Sequence, residues 1–337
     1  MIFASTLNQM GVLGLFMIIG FLLMKLKLVP DNSSRVLSRL ENYVFLPALV
    51  LGTFISNFKI ETLSNSWQPL LLSLIIELII IPLAILSAKL SSKDGFIRRM
   101  YTYGLSFSNF GFMGNAVVLA LFPEFYQTYV IFTLPLWTLI YVWGVPGLLI
   151  EREGEVNSKG DKIKSIIKSL LNPMFIALII GAIIGVTGLG EILANPITIG
   201  NSQVSLFVME VIRVCGNCMS PIAMMLTGMT FAQIDIKKVL TNLSIYLVTF
   251  LRLIAYPLVI AGLVFLLKEK VNIIGNFITK ELFVCLVCSL SMPLGLNTVV
   301  IPAAYGKDTS VPAGMALISH ALSILTIPLI FTIFGLA

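Results

Sequence analysis

Ten long apolar runs limit what this chain can fold into more than any other feature of its sequence. Each run is about 20 residues or longer, which is the length that an α-helix needs to cross the hydrocarbon core of a bilayer. The apolar residues are continuous rather than alternating, so the runs predict helices and not the strands of a membrane barrel. The predicted spans are residues 7–28, 36–55, 67–90, 96–122, 125–150, 170–189, 204–230, 240–267, 282–305 and 313–336.

The composition excludes a soluble globular protein. Hydrophobic residues make up 58% of the chain and charged residues 11%. Soluble domains carry about 25% charged residues, which keep their surfaces hydrated. The sequence therefore predicts an all-α polytopic membrane protein.

The basic residues are distributed unevenly between the two sets of loops. Most of the 22 Lys and Arg residues lie in alternate loops, beginning with the loop between spans 1 and 2. Because cytoplasmic loops carry the excess of Lys and Arg, this bias predicts a cell-membrane protein, plasma or inner, with both termini outside. The same placement explains the net charge of +6 without a nucleic-acid partner. The basic residues of the opposite loops are Lys59, Lys268, Lys270 and Lys280.

One hydrophilic stretch divides the ten spans into two halves. Residues 151–168 form a predicted cytoplasmic linker between a first five-helix repeat, 1–150, and a second, 169–337. An odd number of spans per half means that the repeats are inverted across the membrane, a construction common in secondary transporters. The matched positions keep their order along the chain, and their separation lengthens slowly without reversing. They are Gly20 with Gly181, Pro47 with Pro221, Glu77 with Arg252, Asn115 with Asn297, and Pro146 with Pro328.

Spans 4 and 9 carry polar and helix-breaking residues at mid-span. Pro293 lacks an N–H group and blocks a bond to the preceding turn, while Gly111 tolerates non-helical backbone. Freed backbone groups must be buried in protein or line a cavity, so we expect both helices to be broken and to cross at the membrane midplane. The N-termini of the half-helices would present N–H groups and partial positive charge to an anion. The alternative is that the small residues only allow close helix packing. The predicted substrate-binding residues are Ser108, Asn109, Gly111, Asn115, Ser291, Pro293, Asn297 and Thr298.

Nearly the whole chain resembles the auxin efflux carrier family, in its bacterial branch related to plant PIN auxin carriers. The resemblance rests on residues 108–114 (SNFGFMG), 172–173 (NP), 220–223 (SPIA), 228–230 (GMT), 292–293 (MP) with Asn297, 305–306 (YG) and 322–328. It implies a scaffold domain from spans 1, 2, 6 and 7, and a transport domain from spans 3–5 and 8–10 with the fourth and ninth helices broken and crossed. The implied substrates are auxin and small carboxylates such as malate and malonate. Bile acid sodium symporters are more distantly similar.

Ionisable residues inside spans are costly and mark candidate functional sites. Glu77 would carry a coupling proton and Arg252 would balance a substrate carboxylate, unless the two form a structural ion pair. His320, the single histidine, would shuttle protons near neutral pH; we favour a neutral imidazole bonded to a backbone carbonyl. Glu210 and Arg213 lie three residues apart on one helical face, so we expect a local structural pair.

The remaining motifs exclude several function classes. The cysteines form two C-x-x-C pairs, a zinc pattern in soluble proteins, but both pairs lie in apolar helices and we interpret them as small packing residues. We expect no metal and no cofactor. The chain has no Walker A pattern and no hydrolase motif, so neither ATP-driven transport nor an enzyme is expected. The cysteine pairs are Cys215 with Cys218 and Cys285 with Cys288.

Together these features predict a secondary active or potential-driven transporter of small organic anions. The substrate would be held where the broken helices cross, and access would alternate by an elevator-like movement. A membrane ligand sensor and a channel that use the same central site are the alternatives. The lipid bilayer and a small organic anion are the expected partners. The coupling ion stays open, with a proton as one candidate, and so does the oligomeric state, with a homodimer as one alternative.

Overall fold

The computed structural model describes residues 2–150, 173–190, 197–199, 202–204, 207–233 and 241–336. The predicted linker, 151–168, lies outside these ranges. The helices of the first half are α1 (Ile2–Lys25), α2 (Ser33–Leu40), α3 (Leu46–Asn57), α4 (Ile60–Asn65), α5 (Trp67–Ser91), α6 (Gly95–Ser106), α7 (Asn115–Leu121) and α8 (Tyr126–Leu139). Those of the second half are α9 (Pro173–Val186), α10 (Phe207–Gln233), α11 (Leu243–Phe250), α12 (Gly262–Lys270), α13 (Asn272–Phe277), α14 (Lys280–Ser291), α15 (Asn297–Ala304) and α16 (Ser310–Ile333).

Wider, π-helical turns connect or extend several of these helices. Glu41–Phe45 joins α2 to α3, Phe110–Gly114 leads into α7, and Ile140–Leu149 extends α8. Leu251–Ala255 and Pro257–Ala261 connect α11 towards α12. Proline lacks the N–H that an α-helical bond needs, which fits the π-helical segments around the prolines of spans 5 and 8. Such turns are frequent at functional sites.

The protein is a multi-pass helical membrane protein. Within the described ranges, five helical stretches are long and apolar enough to cross a membrane, and two further apolar helices are shorter. Leu, Ile, Val and Phe side chains are exposed on many of these helices, a surface that suits lipid better than water. The five stretches are Trp67–Ser91, Pro123–Leu149, Phe207–Gln233, Leu243–Lys270 and Ser310–Ile333.

The predicted bounds of spans 3–5 and 7–10 agree with the helix ends to within three residues. The described structure is helical, as predicted, with one short addition: β1 (Ile197–Ile199) and β2 (Ser202–Val204) form an antiparallel pair ahead of α10. Span 7 is predicted from 204, and its helix begins at Phe207. Two short strand-forming triplets around the dipeptide Gly200-Asn201 are typical of a hairpin, a pattern that hydropathy alone does not reveal.

One group of helices consists of α1, α2, α3, α9 and α10. In it, α1 packs along α10, and α3 packs against both α9 and α10. A Cβ atom at Gly228 would overlap the carbonyl oxygen of Met17, and one at Gly20 would overlap that of Met225. The backbones of α1 and α10 therefore touch at both positions, which only glycine permits.

A second group contains the remaining long helices. In it, α5 packs against α6 and α8, and α14 packs against α8 and α16. The two groups meet where α15 contacts α2 and where α16 contacts α1 and α10. Ser38 of α2 donates a hydrogen bond to the carbonyl oxygen of Val300 in α15 at 2.6 Å across this boundary.

Candidate functional site

The helical course of spans 4 and 9 is interrupted at mid-span. In span 4 the helix ends at Ser106 and resumes at Phe110, so residues 107–109 form the interruption. In span 9 it ends at Ser291 and resumes at Asn297, so residues 292–296 form the interruption. The second break follows from Pro293, whereas the first contains no proline.

The two interruptions pair with each other through their backbones. Ser108 and Leu294 form an antiparallel bridge. The N–H of Asn109 donates to the carbonyl oxygen of Pro293 at 2.7 Å, and the N–H of Gly295 donates to the carbonyl oxygen at 107 at 3.3 Å. A Cβ at Gly295 would lie 3.1 Å from that oxygen, so the close approach favours glycine. Each interruption thus provides hydrogen-bond partners for backbone N–H and C=O groups of the other. Buried backbone groups need such partners.

A small cavity of about 10 Å³ lies at this meeting point, with room for about one water molecule. Both interruptions line it, together with aromatic side chains of spans 4 and 5. Its lining includes Tyr103, Asn109, Gly111, Trp137, Leu296 and Asn297. We call it the crossover cavity.

Asn109 is buried and forms a hydrogen bond with His320, the single histidine. Its amide nitrogen lies 3.1 Å from Nε2 of His320, whose Nδ1 lies 2.7 Å from the carbonyl oxygen of Ala316. These contacts fit a neutral imidazole that donates from Nδ1 and accepts from Asn109. The carbonyl-bonded interpretation of His320 therefore agrees with the geometry, and its second nitrogen orients Asn109. Within the described ranges, Oδ1 of Asn109 is buried without a hydrogen bond.

Asn297 has a similar environment on the other interruption. Its amide nitrogen donates to the hydroxyl of Tyr103 at 3.0 Å. The hydroxyl of Tyr141 interacts with Asn297, but neither that hydroxyl nor Oδ1 of Asn297 has a hydrogen bond of ordinary geometry among the described residues. Each interruption therefore places one asparagine with a fixed amide nitrogen and an unpaired amide oxygen at the crossover.

The predicted hydroxyl residues support the interrupted backbone. Ser108 donates to the carbonyl oxygen at 289 at 2.8 Å, Ser291 to that at 287 at 2.7 Å, and Thr298 to that at 295 at 2.8 Å. These bonds take the hydroxyl protons and leave only lone pairs for a ligand. Gly111 has a different role, because a Cβ there would overlap the indole ring of Trp137.

Asn115 lies away from the two buried asparagines, contrary to the predicted match with Asn297. Its amide nitrogen donates to the carbonyl oxygen of Gly111 at 2.7 Å, one turn back in the same helix. The side chain is only partly buried and faces a second, larger cavity. Asn109 is the closer structural counterpart of Asn297, because both residues lie where the helix resumes.

Arg252 holds the ends of both interrupted helices. Its guanidinium donates to the carbonyl oxygen of Leu105 at 3.0 Å, at the end of α6. It also donates to the carbonyl oxygens of Leu290 at 3.0 Å and Met292 at 3.3 Å, and approaches that of Ser289 at 3.5 Å, at the end of α14. Helix C-termini leave carbonyl groups unbonded and carry partial negative charge. Arg252 therefore caps two helices in this conformation, and its role as counter-charge for a substrate stays a prediction.

Glu77 is 4% exposed and lies in the electrostatic field of Arg252. The two side chains form no direct ion pair in the part of the chain that the structure describes, and Oε2 of Glu77 is buried without a hydrogen bond. A proton-carrying role for Glu77 stays a prediction. Glu41, in the π-helical turn of span 2, is a further buried acid that was not singled out; both of its carboxyl oxygens lack a hydrogen bond in the described structure.

A large cavity of about 600 Å³ lies between the two helix groups. It falls within the size range of small-molecule sites. Its walls come from the second half of span 2, from Asn115, from the first half of span 5 and from the first turns of α10. Trp137 lines both this large cavity and the crossover cavity, so its indole ring forms part of the wall between them. Sequence inspection missed Trp137, because an aromatic residue in an apolar helix carries no distinguishing signal.

The predicted pair of Glu210 and Arg213 is confirmed, and it lines the large cavity.

A family model described as membrane transport protein matches residues 7–331 of the chain. The chain belongs to the auxin efflux carrier family. A comparison with curated proteins gives no match. The auxin efflux carrier match covers both halves and both interruptions, and it makes the protein a membrane transporter rather than an enzyme.

Proposed function

We propose that this auxin efflux carrier family protein is a secondary carrier of small organic anions, whose carboxylate binds at the crossover. The observation that carries the proposal is that the first residues of both resumed helices line one cavity with two buried asparagines. Within the described ranges, the backbone N–H groups of Phe110, Gly111, Leu296 and Asn297 have no acceptor. Free N–H groups at helix N-termini favour an anion.

The unpaired amide oxygens add a requirement to this site. Oδ1 of Asn109 and Oδ1 of Asn297 accept hydrogen bonds and do not donate them, so they do not bind a carboxylate directly. They suit a hydroxyl or an N–H group elsewhere on the same solute. We therefore expect a carboxylate that carries a nearby donor, such as a 2-hydroxy acid or an indole acid, to bind more tightly than the matched acid without it.

Movement between the two helix groups would give alternating access. In the proposed arrangement, spans 1, 2, 6 and 7 form the scaffold and spans 3–5 and 8–10 form the transport domain. The touching backbones of α1 and α10 support a rigid scaffold, and the large cavity lies at the boundary. With both termini outside, all the helix segments that line the large cavity lie towards the outer side, so this conformation would be outward-facing. The proposed movement is elevator-like.

The driving force would be the membrane potential or a coupled proton. Moving one charge across a potential of 100 mV is worth about 2.3 kcal/mol, so an inside-negative potential favours export of an anion. A channel is the less favoured alternative, because the crossover has space for about one water molecule in this conformation.

The test is transport by the purified protein in proteoliposomes, with labelled L-malate as the probe and succinate, which lacks the hydroxyl, as competitor. We expect saturable uptake that is stimulated by malate on the opposite side, and weaker competition by succinate than by unlabelled malate. Asn109→Ala and Asn297→Ala should abolish uptake while Asn272→Ala, at an exposed position, should not.

Thermal unfolding of each variant provides the control for folding. Uptake by folded Asn297→Ala at the rate of the native protein would remove the crossover from the mechanism. Non-saturating flux without stimulation from the opposite side would instead indicate a channel. Binding of malate without any flux would indicate a sensor.

A further inference from the structure

We propose that Arg213 is a counter-charge for the substrate carboxylate in the large cavity, and that Glu210 competes for it until Glu210 takes up a proton. This inference rests on the proposed carrier function. It assigns a second anion contact, remote from the crossover, and a chemical reason for coupling the anion to a proton.

The geometry of the pair is that of a guanidinium holding a carboxylate. Nε of Arg213 donates to Oε2 of Glu210 at 2.9 Å, and Nη2 donates to Oε1 at 2.5 Å. One edge of the guanidinium thus grips both oxygens of one carboxylate, the arrangement that makes arginine suited to carboxylate ligands. A substrate carboxylate presents the same two oxygens to the same edge.

The position of the pair makes it accessible to a solute. Both residues line the large cavity, and their side chains are 63% and 59% exposed. By contrast, Arg252 in the middle of span 8 is buried and hydrogen-bonded to backbone carbonyls. Of these two guanidinium groups, that of Arg213 is the one that an incoming anion can reach. Asn115 and Trp137 line the same large cavity, and Trp137 also borders the crossover.

The charges of the cavity determine what can bind there. Glu210 and Arg213 are the charged side chains of the described lining, and Tyr126 of α8 is the remaining titratable one. Glu41 and His320, on other elements that pack against α10, are outside this lining. The ion pair is neutral as a whole, so an entering anion meets attraction from Arg213 and equal repulsion from Glu210.

A proton on Glu210 removes the competing charge and frees the guanidinium. Arg213 with ionised Glu210 has no net charge, and Arg213 with protonated Glu210 and a bound carboxylate has none either. When a substrate carboxylate replaces Glu210 on Arg213, one proton is therefore bound with that carboxylate group, and the charge of the cavity is unchanged. In this way the pair would couple an anion to a proton without a further ionisable group.

Substitutions in the pair should leave the folding of the protein unchanged, because exposed ion pairs contribute little to stability. The affinity of the reconstituted full-length protein for labelled L-malate would be measured between pH 5.5 and pH 8. The variants are Glu210→Gln, Arg213→Gln and Arg213→Lys, with Glu269→Gln, on an exposed residue, as the matched control. Thermal unfolding would be measured for each variant.

We expect the native affinity to fall by up to about tenfold per pH unit, because ionised Glu210 must take up one proton for each anion that binds. Glu210→Gln should remove this pH dependence and keep tight binding at pH 8. Arg213→Gln should weaken binding at least about tenfold at low pH with unchanged unfolding, since it removes a charge-assisted bidentate contact. Arg213→Lys keeps the charge but lacks the bidentate guanidinium, so its affinity for malate should lie between those of the native protein and Arg213→Gln.

Two results would overturn the inference: a native pH dependence in Glu210→Gln, or native affinity in Arg213→Gln. These failures are distinguishable from failure of the carrier proposal. If only the Arg213 inference is wrong, the native protein still binds malate and Asn297→Ala still does not. If the native protein binds no malate at any pH, both proposals fail for this substrate.

Discussion

Replacement of Arg252 tests the physical basis of the crossover most severely. Arg252→Leu removes the donors that hold Leu105 of α6 and Leu290 of α14, both at 3.0 Å. A hydrogen bond to a charged group contributes about 1.5–3 kcal/mol, so these two contacts alone are worth about 3–6 kcal/mol. The substitution also leaves Glu77 without the nearby positive charge. We therefore expect a large loss of stability rather than a selective loss of substrate binding.

Arg252→Lys separates charge from geometry. Lysine keeps a positive charge near the two helix C-termini, but its single ammonium group cannot span carbonyl oxygens of both helices as the planar guanidinium does. We expect it to lose about half as much stability as Arg252→Leu, because about one of the two short contacts is kept.

Unfolding in detergent, followed by heating and by titration with a denaturing detergent, would measure both effects. Arg35→Lys, on an exposed residue of α2, is the matched control and should leave stability unchanged. Native stability in Arg252→Leu would refute the capping argument. Native stability in Arg252→Lys together with weaker malate binding would instead return Arg252 to the predicted role of counter-charge.

Substitutions at three further positions probe close contacts of the structure. Gly228→Ala forces α1 and α10 apart and should cost about 1–3 kcal/mol, as overpacking does, whereas Gly14→Ala, with open space at its Cβ, should be neutral or stabilising in the same unfolding assay. Gly111→Ala pushes against Trp137 and should reduce malate uptake, a result that unchanged uptake kinetics would contradict. His320→Gln should keep malate uptake and its pH dependence, because a glutamine amide still orients Asn109. His320→Leu should lose uptake. Loss of the pH dependence in His320→Gln would favour a proton shuttle.

The break in span 9 and the ion pair are features that the sequence predicts well. Pro293 cannot donate a backbone bond and Gly295 tolerates close approach, so a break at mid-span 9 follows from local chemistry. The break in span 4, at residues 107–109, contains neither glycine nor proline, and Gly111 lies in the helix that resumes after it. Glu210 and Arg213 are neighbours on any helix because of their spacing. Both predictions depend on properties that a few consecutive residues carry by themselves.

The roles that depend on tertiary contacts are not predictable in this way. The similar four-residue segments 115–118 (NAVV) and 297–300 (NTVV) suggest that Asn115 and Asn297 are equivalent. The helix of span 4, however, resumes at Phe110, more than a turn before Asn115. The inserted helical turn carries Asn115 away from the crossover and leaves Asn109 in its place. Similarly, hydropathy reveals that Arg252 is charged within a span, but not that two helix ends converge on its side chain.

A structure of the protein with bound L-malate, determined by cryo-electron microscopy in lipid nanodiscs, tests the central claim most directly. We expect carboxylate density within hydrogen-bonding distance of the backbone N–H groups of Gly111 and Asn297, with the malate hydroxyl near an asparagine Oδ1. Malate bound elsewhere, with the crossover cavity unchanged and without ligand density, would contradict it.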